Sequence, residues 1–386
     1  WVVTTKTAGG TEMYNSYSQY VDAVNGYNLT LTIDATIQSY LEKTLEEGIE
    51  DYGVRDGAFG IAMDPNTGAI LGIASSPDFD PNNYSQITDS HLQAEMEENT
   101  NAIYEQLKAN NTEGLTDEEL HSQAASQAYS MATYTQWSSK AIASTYEPGS
   151  TFKALVLAAA LEEGVVSPSD TFTCTGSIRV AGYSRPIHCS ERSGHGTQTL
   201  AEAVQHSCNP AFIQIGQRLG VEKFYEYFQA FGMTEETGID LPGEEKGVNW
   251  GADMTNVDLA VASFGQRFNV TPIQMITGFA AVINGGNLVQ PYVVQTVTDQ
   301  TGAVVQNTEP TVIRQVVSQE TSEMCRQILE SVVSEGTGGN AYVAGYRIGG
   351  KTGSSETTET DHTIVSFIGF APADDPQIIV LIAYDN

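Results

Sequence analysis

Apolar residues recur at helical spacing through LTIDATIQSYLEKTLEEGIEDYG, with Asp34 as N-cap and Gly53 at the exit. That predicts a helix of about five turns. Next, GAFGIAMDPNTGAILGIASSP sets two β-branched and alanine-rich runs around the turn DPNTG, a hairpin pattern. From about Asp78 to Thr135 the chain is polar, acidic and rich in Asn, Glu and Ser, with weak helical periodicity. It reads as a partly mobile surface insertion centred on roughly residues 85–135. From Ala141 to about Gly285 the pattern is helical, in TLAEAVQ, AFIQIGQRLG, EKFYEYFQAFG and VTPIQMITGFAAVINGG. The last of these has Thr271 as N-cap, Pro272 at its first position and Gly285 at its exit. A second hairpin pattern, LVQPYVVQTVTDQTGAVVQN, precedes a helix beginning near Ser318. YRIGGKTGSS, HTIVSFIGFAP and QIIVLIAYDN close the chain as three short strands. Strands at both ends and helices between them predict an α/β fold: one antiparallel sheet built from both chain ends and flanked by helices. A mainly helical subdomain, about 141–285, is inserted between its halves.

With 386 residues the chain can form two or three packed units. Seventeen basic residues stand against 48 acidic ones, a net charge of −31. That balance excludes nucleic acid or an anionic membrane surface as the main partner. The sequence contains no apolar run long enough to span a bilayer. It opens mid-phrase on WVVTTKTAGG and stops on the apolar IIVLIAYDN, so a fragment of an anchored protein is expected. Three of the four cysteines crowd together at 174, 189 and 208. The fourth, Cys325, shares a helical face with Ile328, Leu329 and Val332 and reads as inert core packing.

In YEPGSTFKALVLAAALEEG, Ser150 and Lys153 lie three apart at the mouth of an apolar helix expected to begin at Pro148-Gly149, so their side chains can touch. A serine hydroxyl needs a base within hydrogen-bond reach to act as a nucleophile. Desolvation at an apolar helix start lowers a lysine's pKa toward that use. Free N–H groups at the helix N-terminus can hold the oxyanion of a tetrahedral intermediate. Ser-x-x-Lys alone is a short motif, and a capped helix with a snorkelling lysine would produce it too. Ser207-Cys208-Asn209 in VQHSCNPAF adds a second element, where Pro210 restrains residue 209 from helix. GGKTGSS adds a third: a strand with the cation Lys351, hydroxyls at alternate positions Thr352 and Ser354, and Gly353 to allow close approach. Such a strand can pair with an extended peptide and grip its terminal carboxylate.

In this order the three elements resemble those of penicillin-binding proteins and serine β-lactamases. MDPNTGAILGIASSPDFDPN, YEPGSTFK, TGIDLPGE, SFGQRFNVTPIQM and GGKTGS together resemble the transpeptidase domain of class B penicillin-binding proteins. The resemblance implies D,D-transpeptidation: a D-Ala-D-Ala stem peptide acylates the serine, loses its terminal D-Ala and passes to an amine of a neighbouring strand. It implies Ser150 as nucleophile, Lys153 as base, and Ser207 and Asn209 as proton relay and orienting amide. Lys351, Thr352, Gly353 and Ser354 would bind the carboxylate, with the N–H groups of Ser150 and Ser354 as oxyanion hole. It further implies covalent capture by β-lactams, a membrane glycosyltransferase partner, and attachment to the outer face of the bacterial membrane through an N-terminal anchor. Residues 1–30 would be the remnant of a pedestal and 31–386 the transpeptidase domain, with the end of the fold apparently truncated. The acidic insertion is long for the family. A serine β-lactamase would need a base for water, yet no Glu-x-x-Leu-Asn element lies between Asn209 and Lys351. A β-lactam sensor domain is expected to be smaller and to lack TGIDLPGE.

Cys174, Cys189, His195 and Cys208 are borderline-soft ligands of the kind that close a tetrahedral zinc site. Some class B relatives carry zinc in this region at matching spacing. His188 and His206 are the alternative imidazoles, and a Cys174–Cys189 disulfide is the rival reading for an extracytoplasmic protein. Because Ser207 and Asn209 are expected to face substrate, Cys208 should point away from it, where a metal would support the loop from behind.

Overall fold

The computed structural model describes residues 25–111, 114–356 and 363–386, with the backbone of four two-residue strands between Val2 and Tyr20. Two compact units form, Trp1–Leu31 with Val294–Glu309, and Thr32–Val293 with Pro310–Asn386. In the first, Val294–Thr298 pairs antiparallel with both Val304–Asn307 and Asn28–Leu31. A boundary near residue 30 treats everything after it as one body, whereas this pairing gathers the hairpin with the N-terminal residues. The hairpin is also shorter than the sequence pattern suggests: Leu288 and Val289 pair instead with Val312–Gln315. Pro291 has no N–H and cannot continue a ladder from one to the other.

The second unit is organised by a five-stranded antiparallel sheet of β1 (Gly57–Met63), β2 (Ile70–Ser76), β3 (Gly349–Glu356), β4 (Thr363–Ala371) and β5 (Ile378–Asp385). Its order is β3-β4-β5-β1-β2. The sheet therefore draws on both chain ends, joined where Ile379, Leu381 and Ala383 face Met63, Ile61 and Phe59. Those three β5 residues are fully buried, as expected where a strand is covered by packing.

Helix α1 (Ala35–Tyr52) covers one part of the sheet, with Leu41 and Leu45 packed among Ala58, Ala74, Val380 and Ile382. It starts where the Asp34 carboxylate accepts from the N–H groups of Thr36 and Ile37, and ends at Gly53 in the left-handed region, φ 64°. The segment expected to be a weakly periodic, partly mobile insertion forms two regular helices, α2 (Ser90–Ala109) and α3 (Asp117–Trp137). Asp89 caps the first, and Thr116 with Glu119 makes a capping box on the second. Their buried seam includes Ala124, Ala128 and Ala132, spaced four apart. Alanine adds little contrast to a hydrophobicity pattern, which is why the periodicity reads as weak.

Farther along, α4 (Lys153–Glu162) is buried from Lys153 to Leu161, and α5 (Asn209–Leu219) packs against it. Helix α6 (Pro272–Ile283) is buried throughout behind its Thr271–Gln274 capping box. Cys325 lies in the same core with Leu329 and Val332, and burial pushes its thiol pKa up, consistent with inert packing. Among the described residues no helix is long and apolar enough to cross a membrane.

Candidate active site

The Ser150 turn differs from the expected α-helical start: Gly149–Phe152 is a 3₁₀ turn that passes into α4 at Lys153. In a 3₁₀ turn, side chains three apart eclipse one another, which brings Lys153 Nζ to 2.9 Å from Ser150 Oγ. Two glycines let this turn lie against β3. Gly149 has φ 55°, and a Cβ there would run into the Ser354 carbonyl oxygen. A Cβ at Gly353 would come within 2.9 Å of both the Pro148 carbonyl oxygen and the Thr151 methyl.

Ser207 enters through a helix end. The short helix Leu200–Gln205 finishes in a Schellman arrangement, with the Ser207 N–H donating to the Val204 carbonyl and the Cys208 N–H to the Ala203 carbonyl, both at 3.0 Å. Glycine is preferred at the left-handed position of this motif, yet here it is Ser207, at φ 52°. The conformation puts both the Ser207 carbonyl oxygen, 2.7 Å, and its Oγ, 3.1 Å, within reach of Lys153 Nζ. Asn209 begins α5; its Oδ1 accepts from Lys153 at 2.8 Å while its Nδ2 donates to the His188 carbonyl at 3.3 Å.

From β3, Lys351 Nζ lies 3.0 Å from Ser207 Oγ and 3.1 Å from the Thr352 carbonyl oxygen. The Ser207 hydroxyl thus stands between two fully buried lysines. Thr352 and Ser354 line the cleft in front of Ser150, and Thr352 Oγ1 contacts Thr337 Oγ1 at 3.3 Å. The cleft holds about 630 Å³. A larger hollow of about 860 Å³ lies beside the insertion, bounded by Asp89, Glu95 and Lys140, and contains neither Ser150 nor either lysine.

Burial, reinforced by the nearby Lys351 charge, holds the pKa of Lys153 well below that of an ordinary lysine. Burial also pushes Lys351 down to about 7. Hydrogen-bond chemistry fits a neutral Lys153. A neutral amine has two hydrogens and one lone pair, and two of its neighbours, the Ser207 carbonyl and Asn209 Oδ1, can only accept. The lone pair is then left for the Ser150 hydroxyl proton.

Directly behind Ser207 and Asn209, Cys174, Cys189, His195 and Cys208 bring four ligand atoms within 4.8 Å of one another. The three thiols are buried and unbridged, and His195 Nδ1 lies 3.7 Å from Cys189 Sγ. The Cys208 thiol beside Cys189 favours the thiolate at Cys189 and lowers its pKa, while the Cys208 thiol is pushed up. The cluster can hold a metal ion. Of the other imidazoles, His206 stacks on His195 with centroids 4.8 Å apart and has Nδ1 3.0 Å from Gln198 Oε1.

The turn, the loop and the strand therefore bring every predicted site residue into two adjoining clusters. Sequence reasoning gave no role to Thr337 or Gln266, both of which line the cleft. Gln266 falls inside SFGQRFNVTPIQM, one of the stretches that carries the family resemblance, whereas Thr337 lies in the glycine-rich GTGG, which belongs to none of them.

A serine hydroxyl within hydrogen-bond reach of a buried lysine, beside a strand that presents hydroxyls to the same cleft, has the geometry of a serine acyl-transfer site. Residues 58–386 match the family "Penicillin binding protein transpeptidase domain", and the chain belongs to it as a class B member. It is 39% identical to stage V sporulation protein D of Bacillus subtilis, an alignment covering 98% of this chain and 53% of that protein. It is 28% identical to penicillin-binding protein PbpB of Mycolicibacterium smegmatis, covering 97% and 53%. The chain thus spans about half the length of each of these relatives. Among solved structures it resembles penicillin binding protein 3 of Mycobacterium tuberculosis in complex with aztreonam, with TM-score 0.77, 26% identity, and coverage of 95% of this chain and 75% of that one. It also resembles the D,D-transpeptidase domain of a peptidoglycan glycosyltransferase from Eggerthella lenta, with TM-score 0.74, 26% identity, and coverage of 99% and 89%.

Proposed function

We propose that this chain is the catalytic part of a peptidoglycan D,D-transpeptidase, acting through a Ser150 acyl-enzyme and captured covalently by β-lactams. The observation that carries the reading is the set of contacts made by Lys153 Nζ to Ser150, Ser207 and Asn209 at 2.7–3.1 Å. Lys153 takes the Ser150 proton as Oγ attacks the penultimate carbonyl of a D-Ala-D-Ala stem peptide. The N–H groups of Ser150 and Ser354 receive the oxyanion, and the proton returns to the leaving D-Ala through Ser207. An amine of a neighbouring strand then attacks the ester. Asn209 orients the peptide, while Thr352 and Ser354 grip its carboxylate beside Gly353, with charge from Lys351. A β-lactamase reading is disfavoured because, among the described residues, no carboxylate lines the cleft to activate water. The full protein would work at the outer face of the bacterial membrane, held by an N-terminal anchor and partnered by a membrane glycosyltransferase.

The four-residue cluster supports zinc in a structural role. Tetrahedral zinc with sulfur and nitrogen ligands holds them about 3.5–3.8 Å apart; the four ligand atoms here lie within 4.8 Å of one another, with Cys189 Sγ and His195 Nδ1 at 3.7 Å. Bound there by Cys174, Cys189, His195 and Cys208, it would supply rigidity to the loop bearing Ser207 and Asn209. The acyl-transfer steps themselves use only side chains and backbone N–H groups.

Incubation with benzylpenicillin is expected to add one drug mass to the peptide containing Ser150, with the adduct persisting rather than turning over. A label on another serine, or rapid clearance of many equivalents, would refute the reading. The second-order acylation constant should be bell-shaped in pH, since it reports groups of the free enzyme. It rises as Lys153 loses its proton and falls as Lys351, at about 7, loses the charge that attracts the drug carboxylate. Lys351→Arg keeps that charge and should move the falling limb to higher pH. An unmoved limb would assign the descent to another group.

A further inference from the structure

The hollow of about 860 Å³ beside the insertion takes no part in the acyl-transfer steps, yet its walls are built for a ligand. Glu95, Glu98 and Thr135 of the insertion stand on one side, and Arg55, Glu147 and Asn269 of the core on the other. Tyr146, 4% exposed, also lines it, and among the described residues its hydroxyl has no hydrogen-bond partner. A buried hydroxyl left without a partner is costly unless a bound molecule completes it. The hollow adjoins the chemistry. Ile364 lines it while Thr363 lines the catalytic cleft, and Glu147 stands three residues ahead of Ser150, at most about 11 Å away by chain length.

A surface of aromatic rings borders the same hollow. The Trp137 ring centroid, at the end of α3, is 5.9 Å from that of Tyr84 and 6.4 Å from that of Phe79, and Trp137 Nε1 donates to the Tyr84 carbonyl at 2.8 Å. Tyr134 lies one turn earlier in α3. Tyr84, Tyr134 and Trp137 are 57%, 75% and 47% exposed, and large apolar groups gathered in the open mark a binding surface. Thr135, between Tyr134 and Trp137, and Pro77, two residues before Phe79, both stand in the wall of the hollow, so rings and hollow form one continuous surface.

The chemistry of that surface identifies its occupant. Residues 78–137 carry eleven acidic side chains and one basic, Lys108, so anionic polymers and anionic lipid are repelled. Carboxylates instead accept from hydroxyl and amide N–H groups, and Asn269 and Arg55 supply the complementary donors. Rings with polar tips suit a molecule that has apolar C–H faces and hydroxyl edges. Those are the properties of a neutral saccharide, and the stem peptides that enter the adjoining cleft hang from one. We propose that the insertion and the hollow form a saccharide-binding surface that holds the N-acetylated amino-sugar strand carrying the stem peptides. This rests on the transpeptidase reading above and names a further part of its substrate.

The test uses peptide-free glycan strands, obtained by cleaving the stem peptides from peptidoglycan with an amidase, and cellohexaose, a β-linked glucose strand without acetamido groups. Binding to the unacylated protein is measured by calorimetry. The glycan strands are expected to bind about ten-fold or more tightly than cellohexaose, since only they bring amide N–H groups to the carboxylates. Tyr84→Ala and Tyr134→Ala should each weaken strand binding by about two- to ten-fold while leaving Tm and the penicillin acylation of Ser150 unchanged. Glu95→Ala combined with Glu98→Ala, on the exposed side of α2, should weaken it as much and tests the hollow separately from the rings. Absence of saturable strand binding would overturn the surface and leave the rings to a protein partner. Equal affinity for cellohexaose, or an affinity unmoved by all of these substitutions, would overturn it too. Failure of penicillin to acylate Ser150 would instead overturn the transpeptidase reading, which strand binding does not measure.

Discussion

Replacing Lys153 by arginine should slow acylation by penicillin by about 10²–10⁴-fold, the contribution of a positioned general base. Arginine keeps the positive charge but has five donors and no lone pair, so it cannot accept the Ser150 proton. The cost should be large because Lys153 is fully buried and its amine is the shared neighbour of Ser150, Ser207 and Asn209. Lys153→Met, of similar length and without an amine, separates lost chemistry from disturbed packing. It should lose as much rate, with the fold intact by melting temperature. Stopped-flow acylation with a fluorescent penicillin measures both variants. A near-normal rate for Lys153→Arg would move the base to another residue.

Loss of the proposed zinc should have the second largest effect. Protein purified without added zinc is expected to contain about one equivalent, because a closed four-ligand site retains its ion. Cys208→Ser should lower Tm by about 5 °C or more and acylation by about 10–100-fold, the range seen when the support behind a site is lost. Cys208 is flanked by Ser207, whose φ is 52°, and by Asn209, which begins α5, so slack at its sulfur reaches both partners of Lys153. Asn209 also donates to the carbonyl of His188, next to Cys189 of the cluster, which gives the cluster a second hold on it. Metal-free protein with a Cys174–Cys189 disulfide would sink the idea, as would a stripped protein with unchanged Tm and acylation.

Much of this site is legible in the chain. Ser150 and Lys153 are three apart, so one helical turn brings them together under local rules alone. Cys208 sits between two residues facing one way, so its burial follows from the backbone. The 3₁₀ form of the Ser150 turn is not legible in the chain, because it depends on Gly149 and its neighbours fitting against Gly353 and Ser354 of β3, which lie far away in sequence. The helical insertion is hard to read in the chain for a different reason. Its seam of Ala124, Ala128 and Ala132 is regular in space but nearly silent in hydrophobicity, and the caps at Asp89 and Thr116 were the better signal.

The chain alone dictates what short-range physics controls: the capped helix from Ala35 to Tyr52, the β1–β2 hairpin, the motif order and the need for a desolvated lysine beside a serine. It also determined that the sheet had to come from both ends, since the strand-like runs lie there and an exposed apolar strand must be covered. Which distant groups meet is settled in three dimensions. Lys351 reaches Ser207 and Thr337 reaches Thr352 because separate loops converge on β3. Such meetings carry no spacing rule in the chain. They are fixed by how the buried faces of β3, α4 and α5 pack, which no local propensity encodes.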